Sequence, residues 1–445
     1  MNCNIYLVSL GCPKNQVDAE AMLWSLTQAG CRAVGTPGEA DVILVNTCGF
    51  ITDAKTEAVD TILEMAQYKK SGRRPRLIVS GCLSQRYPEE IRRDLPEADC
   101  VLGVTQYPDI VRYVERTLAG EKIVDTEVHT SVIGCAQRVL TMPPHMAYIK
   151  IAEGCDNRCS YCAIPAIRGR YRSRPADELI GEAEALAARG VRELIVTAQD
   201  TTRYGMDRGG KPALAELLLA LCGIRELKWI RVLYTYPELV DRELAALLES
   251  EPRLCAYLDI PLQHISDPVL SAMNRRSDRA GIEAMYAMLR GLDRHIALRT
   301  TYIVGFPGET EPRFRELVSF VEDHPFDHVG AFRYSPEDGT AAARMRGQVS
   351  AKVKRERLDR LMEAQQRVLR QWNRRHIGRT YEVLVEAVTG EGLYEGRTEY
   401  QAPGIDSAVR FRSDESLSPG MFVRVAIESV EEYDWIGVHA HDAGK

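Results

Sequence analysis

Short apolar runs and amphipathic stretches alternate along most of the chain. In the first 120 residues the runs NIYLVSLGC, DVILVNTC and RLIVSGC stand out, and the first two lead into VDAEAMLWSLTQAG and DAKTEAVDTILEMAQ, both with helical spacing of their apolar positions. This repeat predicts strands alternating with helices, hence a parallel sheet covered by helices. After a looser stretch at 121–145, a second alternating region begins. Its strand candidates are MAYIKIAEGC, ELIVTAQD, WIRVLYTYP, AYLDIPLQH, ALRTTYIVGFPGE and HVGAFRYSP, with segments such as ADELIGEAEALAARG and GIEAMYAMLRGLD between them. Six βα units in about 200 residues predict a partial, six-stranded barrel in place of a full eight-stranded one.

The last stretch changes character. TYEVLVEAV, SAVRFR and MFVRVAIESVEEYDWIGV, separated by Gly, Pro and Asp turns, read as a small all-β domain. Between barrel and tail, SAKVKRERLDRLMEAQQRVLRQWNRRHIG carries nine basic and three acidic residues. It reads as one long helix with a solvated face of i,i+4 pairs, in preference to a contact for ribosomal RNA. The fold class is therefore α/β, with domains expected at 1–125, at 141–376 (barrel plus linker helix) and at 379–445.

Composition narrows the function. A chain of 445 residues with 45% hydrophobic positions can bury several cores without disulfides. No apolar run approaches the roughly 18 residues of a membrane span, and MNCNIYLVSLGC reads as a strand, not a leader. The expected compartment is cytoplasmic. Twelve cysteines in such a chain point to metal or redox chemistry for some of them.

Three of the twelve, Cys155, Cys159 and Cys162, lie in KIAEGCDNRCSYCAIP, in the loop after the first barrel strand. Structural zinc takes four protein ligands, usually as two paired hooks, whereas CxxxCxxC offers three. Soft thiolates also suit iron and sulfur, and a four-iron cube held by three cysteines keeps one iron open. Spacing alone leaves zinc and unligated thiols as alternatives. Cys12, Cys48 and Cys82 end the first three strand candidates, 36 and 34 residues apart. In an open parallel sheet those ends share one rim, where ligands bind. A second three-thiol site is plausible there, although small residues at tight turns beside Gly11, Gly49 and Gly81 would look the same. Cys3, Cys31, Cys100, Cys135, Cys222 and Cys255 share no pattern and read as free thiols or small core residues.

CxxxCxxC after the first strand of a partial barrel, with Tyr161 before the last cysteine, resembles the radical S-adenosylmethionine (SAM) enzymes. The N-terminal three-cysteine domain and the C-terminal β domain, which resembles a TRAM domain, make the whole chain similar to the radical SAM methylthiotransferases. SLGCPKNQVDAE, IAEGCDNRCSYCAIPAIRGRYRSR, TAQDTTRYG and GRTEYQAPGID resemble the branch that modifies a ribosomal protein. The tRNA-modifying branch usually carries GCQMN where this chain has Gly11-Cys12-Pro13-Lys14-Asn15.

The resemblance implies a methylthio group added to the β-carbon of an aspartate in small-subunit ribosomal protein twelve, a position that ordinary acid–base catalysis does not reach. It implies one 4Fe-4S cluster on Cys155, Cys159 and Cys162 that binds SAM and yields a 5′-deoxyadenosyl radical. A second 4Fe-4S cluster on Cys12, Cys48 and Cys82 would carry the sulfur, with a second SAM methylating it. No catalytic residue is expected beyond the cluster ligands. Candidates for holding SAM are Tyr161, Gln199, Asp200, Gln263 and Arg299, the last able to grip a carboxylate with its guanidinium fork. His264 reads as structural. An electron donor is required, and no membrane.

From Arg379 onward 6 basic residues face 13 acidic ones, a net charge of −7, while the preceding 378 residues carry +1. An RNA-binding module should be basic. The acidic tail instead suits a basic protein such as a ribosomal protein, or simply solubility. Two other readings stand beside this one: a tRNA adenosine methylthiotransferase with the same clusters, and a non-catalytic iron–sulfur carrier. A carrier would normally close each cluster with four cysteines.

Overall fold

The structure, a computed structural model, describes residues 1–70, 74–129 and 137–440; Cys135, Asp442 and Lys445 lie outside the described residues. Apolar runs flanked by helices form two parallel sheets, as their patterning requires. The N-terminal sheet has six parallel strands in the spatial order Arg32–Ala33, Asn4–Ser9, Val42–Thr47, Arg76–Gly81, Cys100–Leu102 and Ile123–Asp125. Val42–Thr47 is buried at every position, because helices cover both faces of a central parallel strand.

The second sheet contains the six expected barrel strands, Met146–Lys150, Glu193–Thr197, Trp229–Val232, Leu254–Asp259, Ala297–Val304 and His328–Arg333, each parallel to the next in sequence. First and last strands do not pair, so the barrel is partial. Its core holds large side chains such as Tyr302, Phe314, Phe320 and Phe326. The tail is a closed five-stranded barrel. Its last apolar run is two strands, Phe422–Glu431 and Asp434–His439, because Glu432 takes a left-handed turn (φ 51°) between them.

The linker helix runs Ala351–Asn373, capped by Ser350, whose Oγ accepts from the Val353 amide at 3.4 Å. Its solvated face is as expected, with Arg360 and Glu356 four residues apart at 4.0 Å, but two of its cations turn inward. Lys354 and Arg357 are buried against the barrel, Lys354 donating to Tyr334 O at 2.7 Å and Arg357 to Glu309 O at 2.9 Å. Gly305 makes this approach possible: at φ +73° it turns the chain, and a Cβ there would fall 2.3 Å from Lys354 Cγ. Among the described residues no helix is long and apolar enough to cross a membrane.

Buried ion pairs lock the three units together. Arg138 from the inter-domain segment joins Glu20 (2.6 Å) to Glu182 (3.1 Å). Glu193 is held by Arg231 of the neighbouring barrel strand (2.8 Å) and by Arg397 of the tail. Part of the tail's acidity is thus paired with barrel cations: the buried Asp406 carboxylate meets Arg299 at 3.2 Å, the half-buried Glu399 meets Arg294 at 2.6 Å, and the exposed Glu382 meets Lys228 at 2.6 Å. The surface is correspondingly less acidic than net charge suggests.

Candidate active site between two cysteine triads

Cys12, Cys48 and Cys82 follow three adjacent strands of the N-terminal sheet and converge on its rim. Cys12 caps the helix Pro13–Gln28, Cys48 follows Val42–Thr47, and Cys82 begins the short helix Cys82–Arg86. Gly11 (φ +90°) lets the first two loops meet, since a Cβ there would lie 2.6 Å from Cys48 Cβ. Burial pushes the Cys82 thiol up to about 12, against the pull of Arg168. Cys12 goes the other way: burial raises it, but Lys14, Arg168 and the amides of Asn15 and Lys14 bring it below its ordinary value.

The other triad sits in a pinned loop. The Cys155 amide donates to Gly169 O (3.1 Å), the Ser160 amide to Met273 O (2.9 Å), and the Ile164 amide to Cys162 Sγ (3.4 Å). Arg158 takes a left-handed conformation (φ 49°) so that the loop can fold back. Burial pushes Cys155 up to about 11 and raises Cys162 as well. Cys159 Sγ lies 4.0 Å from both the Tyr236 hydroxyl and Arg275 Nη1.

One turn of chain separates the triads. The helix Ile164–Arg168 starts two residues after Cys162, and its Ile167, with Ala163, packs against Cys82. Arg168 then reaches Cys82 Sγ (3.7 Å), Asn15 Oδ1 (2.6 Å), Asp18 (3.2 Å) and Glu153 (2.9 Å). Lys150 grips Asp18 and, at 2.7 Å, Glu153. Burial raises the Glu153 carboxyl, yet Arg168 and Lys150 together hold it well below the usual carboxylate range. None of Asp18, Lys150, Glu153 or Arg168 stands out in the sequence; Lys150 and Glu153 at the end of an otherwise apolar strand are the available signal, and Asp18 and Arg168 lie on helices without one.

The donor sets fit iron–sulfur clusters better than zinc. Each set offers three soft thiols, a donor number that suits a four-iron cluster with one open iron better than the four ligands of structural zinc. The other described cysteines lie away from both: Cys3 and Cys31 face each other at 2.6 Å at the opposite end of the N-terminal sheet, and Cys100, Cys222 and Cys255 are buried in cores.

The residues expected on SAM divide. Tyr161 and Gln263 line a cavity of about 580 Å³ together with Phe50, Thr52, Tyr334 and Lys354. Gln263 adopts φ 71° and bridges to Tyr302, which turns its side chain to the rim. Gln199 donates to Glu153 at 3.4 Å, and its carbonyl oxygen is buried without a partner among the described residues. Asp200 accepts from Asn157 and Thr202, both at 2.6 Å, which fastens the cysteine loop to the second barrel strand. Arg299 differs from its expected availability, because Asp259 (3.0 Å) and Asp406 (3.2 Å) already occupy its guanidinium. His264, fully buried, accepts from the Ser266 amide at 3.0 Å.

Residues 4–103 match the family described as Uncharacterized protein family UPF0004, residues 149–321 the Radical SAM superfamily, and residues 377–439 the TRAM domain. The chain is 50% identical over 443 residues to "Ribosomal protein uS12 methylthiotransferase RimO" of Pelotomaculum thermopropionicum, covering 98% of this chain and 99% of that one. It is 45% identical to the protein of the same name from Clostridioides difficile, with 97% and 98% covered. In fold it is similar to the radical SAM methyltransferase TsrM from Kitasatospora setae, at a TM-score of 0.57 and 15% identity, covering 76% of this chain and 77% of that one. The cobalamin-dependent SAM radical enzyme OxsB is similar at a TM-score of 0.52 and 13% identity, with 81% and 56% covered.

Proposed function

The chain belongs to the RimO family of ribosomal protein uS12 methylthiotransferases, and on that premise we propose that its two cysteine triads hold two 4Fe-4S clusters that act on one aspartate of uS12. It is a radical SAM enzyme that uses an iron–sulfur cluster and SAM, and uS12 is its substrate. Its fold is α/β, with the N-terminal parallel-sheet domain, the radical SAM barrel and the TRAM barrel in that order. In our reading 1–125 supplies sulfur, 141–376 generates the radical, and 379–445 helps dock uS12. The reaction belongs in the cytoplasm, where ribosomes are assembled, and draws on an external electron donor.

Cys155, Cys159 and Cys162 would hold a cluster with one open iron, whose chemistry would be reductive cleavage of SAM, and Cys12, Cys48 and Cys82 would hold a second, whose chemistry would be supply of the sulfur. The protein's own groups set the stage for this. Arg168 and Lys14 place positive charge at the N-terminal triad, which favours the thiolate at Cys12, while at Cys48 and Cys82 burial outweighs the pull of Arg168. Arg275 places its guanidinium 4.0 Å from Cys159 Sγ. Asp200 orients the cysteine loop through Asn157, and Arg299 acts through Asp259. Tyr161, Gln263 and Gln199 are the side chains left at the rim to meet SAM. The buried seam between the domains excludes water that would quench a radical.

The observation that supports this most is the position of two three-thiol sets, with Cys82, Cys155 and Cys159 buried and Cys12, Cys48 and Cys162 half-buried, on either side of a single short helix, Ile164–Arg168. A radical formed at one can meet sulfur held at the other only if both border one chamber. Anaerobically reconstituted enzyme, reduced in the presence of SAM and uS12, should return uS12 heavier by one methylthio group on an aspartate. Release of 5′-deoxyadenosine without modified uS12, or with modified tRNA in its place, would overturn the assignment.

A further inference from the structure

We propose that Lys14 is the residue that holds the acceptor's carboxylate: buried on the seam between the two triads, its ammonium selects a substrate side chain with a negative charge. The proposal rests on the function just described and names the group that recognises its substrate.

Lys14 is only 6% exposed. Most buried cations in this protein hold carboxylates, as Arg138, Lys150, Arg168, Arg231 and Arg397 do, while Lys354 and Arg275 rest on backbone carbonyls and tyrosine rings. Lys14 forms no ion pair among the described residues. Its Nζ makes one long hydrogen bond, 3.5 Å to Ala198 O, and lies 3.6 Å from the centre of the Tyr234 ring. An ammonium has three donors, and removing it from water without an acceptor is costly. The carboxylates whose charge reaches it are engaged: Asp259 by Arg299, and Glu153 by Lys150 and Arg168. The Cys12 thiolate is the other anion whose charge reaches it and Arg168 opposes, so no carboxylate among the described residues is free to take the ammonium's donors.

Its location suits the acceptor. Lys14 lies in the first turn of the helix that Cys12 caps, so its backbone belongs to the sulfur side. Its Nζ reaches Ala198 and Tyr234, each just beyond the carboxyl end of a barrel strand, so the charge lies on the radical side. Tyr234 is held at φ 61°, a left-handed conformation that aromatic residues rarely adopt, with its ring against the ammonium. A carboxylate paired there would present the carbon beside it to both triads. In a buried site a charge-assisted hydrogen bond discriminates strongly against an acceptor that lacks the charge.

The test uses reconstituted holoenzyme with SAM but without reductant, so that nothing turns over, and uS12 carrying either its acceptor aspartate or asparagine in that place. Wild-type enzyme should bind the aspartate form at least roughly tenfold tighter. Lys14→Gln, at full iron content, should bind both forms alike, at the wild-type affinity for the asparagine form. If it keeps the wild-type preference, Lys14 is not the carboxylate's partner. Should Lys14→Gln fail to load iron, Lys14→Met, which preserves packing on Tyr234, carries the same comparison. Failure of both to load iron makes Lys14 a part of the cluster site and overturns the proposal. A wild-type enzyme that modifies uS12 yet binds the two forms alike refutes this proposal alone. A wild-type enzyme that never modifies uS12 refutes the function beneath it.

Discussion

Arg168 points its Nη2 at the sulfur of Cys82 from 3.7 Å, although 86 residues separate them in sequence. The same guanidinium holds Asp18 and Glu153, so one side chain ties the cysteine loop of the barrel to the rim of the N-terminal sheet. Removing it leaves two buried carboxylates sharing the single charge of Lys150.

Arg168→Met should therefore destabilise the apo-protein by about 3–5 kcal/mol, the usual cost of stripping one partner from a buried ion pair. Urea unfolding measures this. The variant should also retain less iron at the N-terminal triad than at the barrel triad. Wild-type stability and iron content would show that the network is dispensable.

Replacing Cys155, Cys159 and Cys162 by alanine should leave about four irons per chain and abolish 5′-deoxyadenosine formation. The matching replacement of Cys12, Cys48 and Cys82 should also leave about four irons. It should preserve cleavage of SAM while eliminating methylthiolated uS12. Iron assay and product chromatography separate the two, and methylthiolated product from the second variant would remove the sulfur role from the N-terminal triad.

Two buried histidines predict a loss of stability on mild acidification. His264 and His376 are both pushed down to about 3 from an ordinary 6.5, in each case chiefly by burial. Arg357 and Arg313 add to this at His264; at His376 Arg375, His295 and Arg379 add to it and Asp327 opposes. Well above pH 6.5 both rings are neutral whether folded or unfolded. As the pH falls from there towards 3 the unfolded chain binds protons that the folded one refuses, so stability declines across that window. His376 stacks on Trp435 with ring centres 4.0 Å apart, so His376→Phe keeps the contact. The difference in urea midpoint between about pH 7.5 and about pH 5 should shrink in this variant. An unchanged difference would locate the proton uptake elsewhere.

The tail offers a narrower docking surface than its composition suggests. Glu428 pairs with Arg412 at 2.9 Å and Asp434 with Arg410 at 2.8 Å, while Glu431 and Glu432 stay exposed on the hairpin turn. Glu431→Lys combined with Glu432→Lys should raise the apparent KM for uS12 a few-fold at low salt, and the effect should fade as salt is added. Cleavage of SAM in the absence of uS12 should not change. A salt-independent effect would point to lost packing in place of lost steering.

Much of this protein was legible in its sequence, for local reasons. The strand and helix repeat, the six barrel strands and the β tail follow from the spacing of apolar residues, which depends only on which face of an element is buried. The CxxxCxxC loop is a contiguous motif. Cys12, Cys48 and Cys82 could be brought to one rim because parallel βα units align the ends of their strands by construction. What the tertiary structure alone decided is the partnership of charges. Arg299, Lys354 and Arg357 look like free cations in sequence, yet Asp406 lies 107 residues from the first, Tyr334 lies 20 residues from the second and Glu309 lies 48 from the third. The same holds for Arg168 at Cys82 and for Lys14 beneath Tyr234. Hydrophobic periodicity repeats along the chain and can be read from it, whereas a buried ion pair is a single contact between distant residues. Only packing determines whether a given charge meets a carboxylate, a thiol or an aromatic ring.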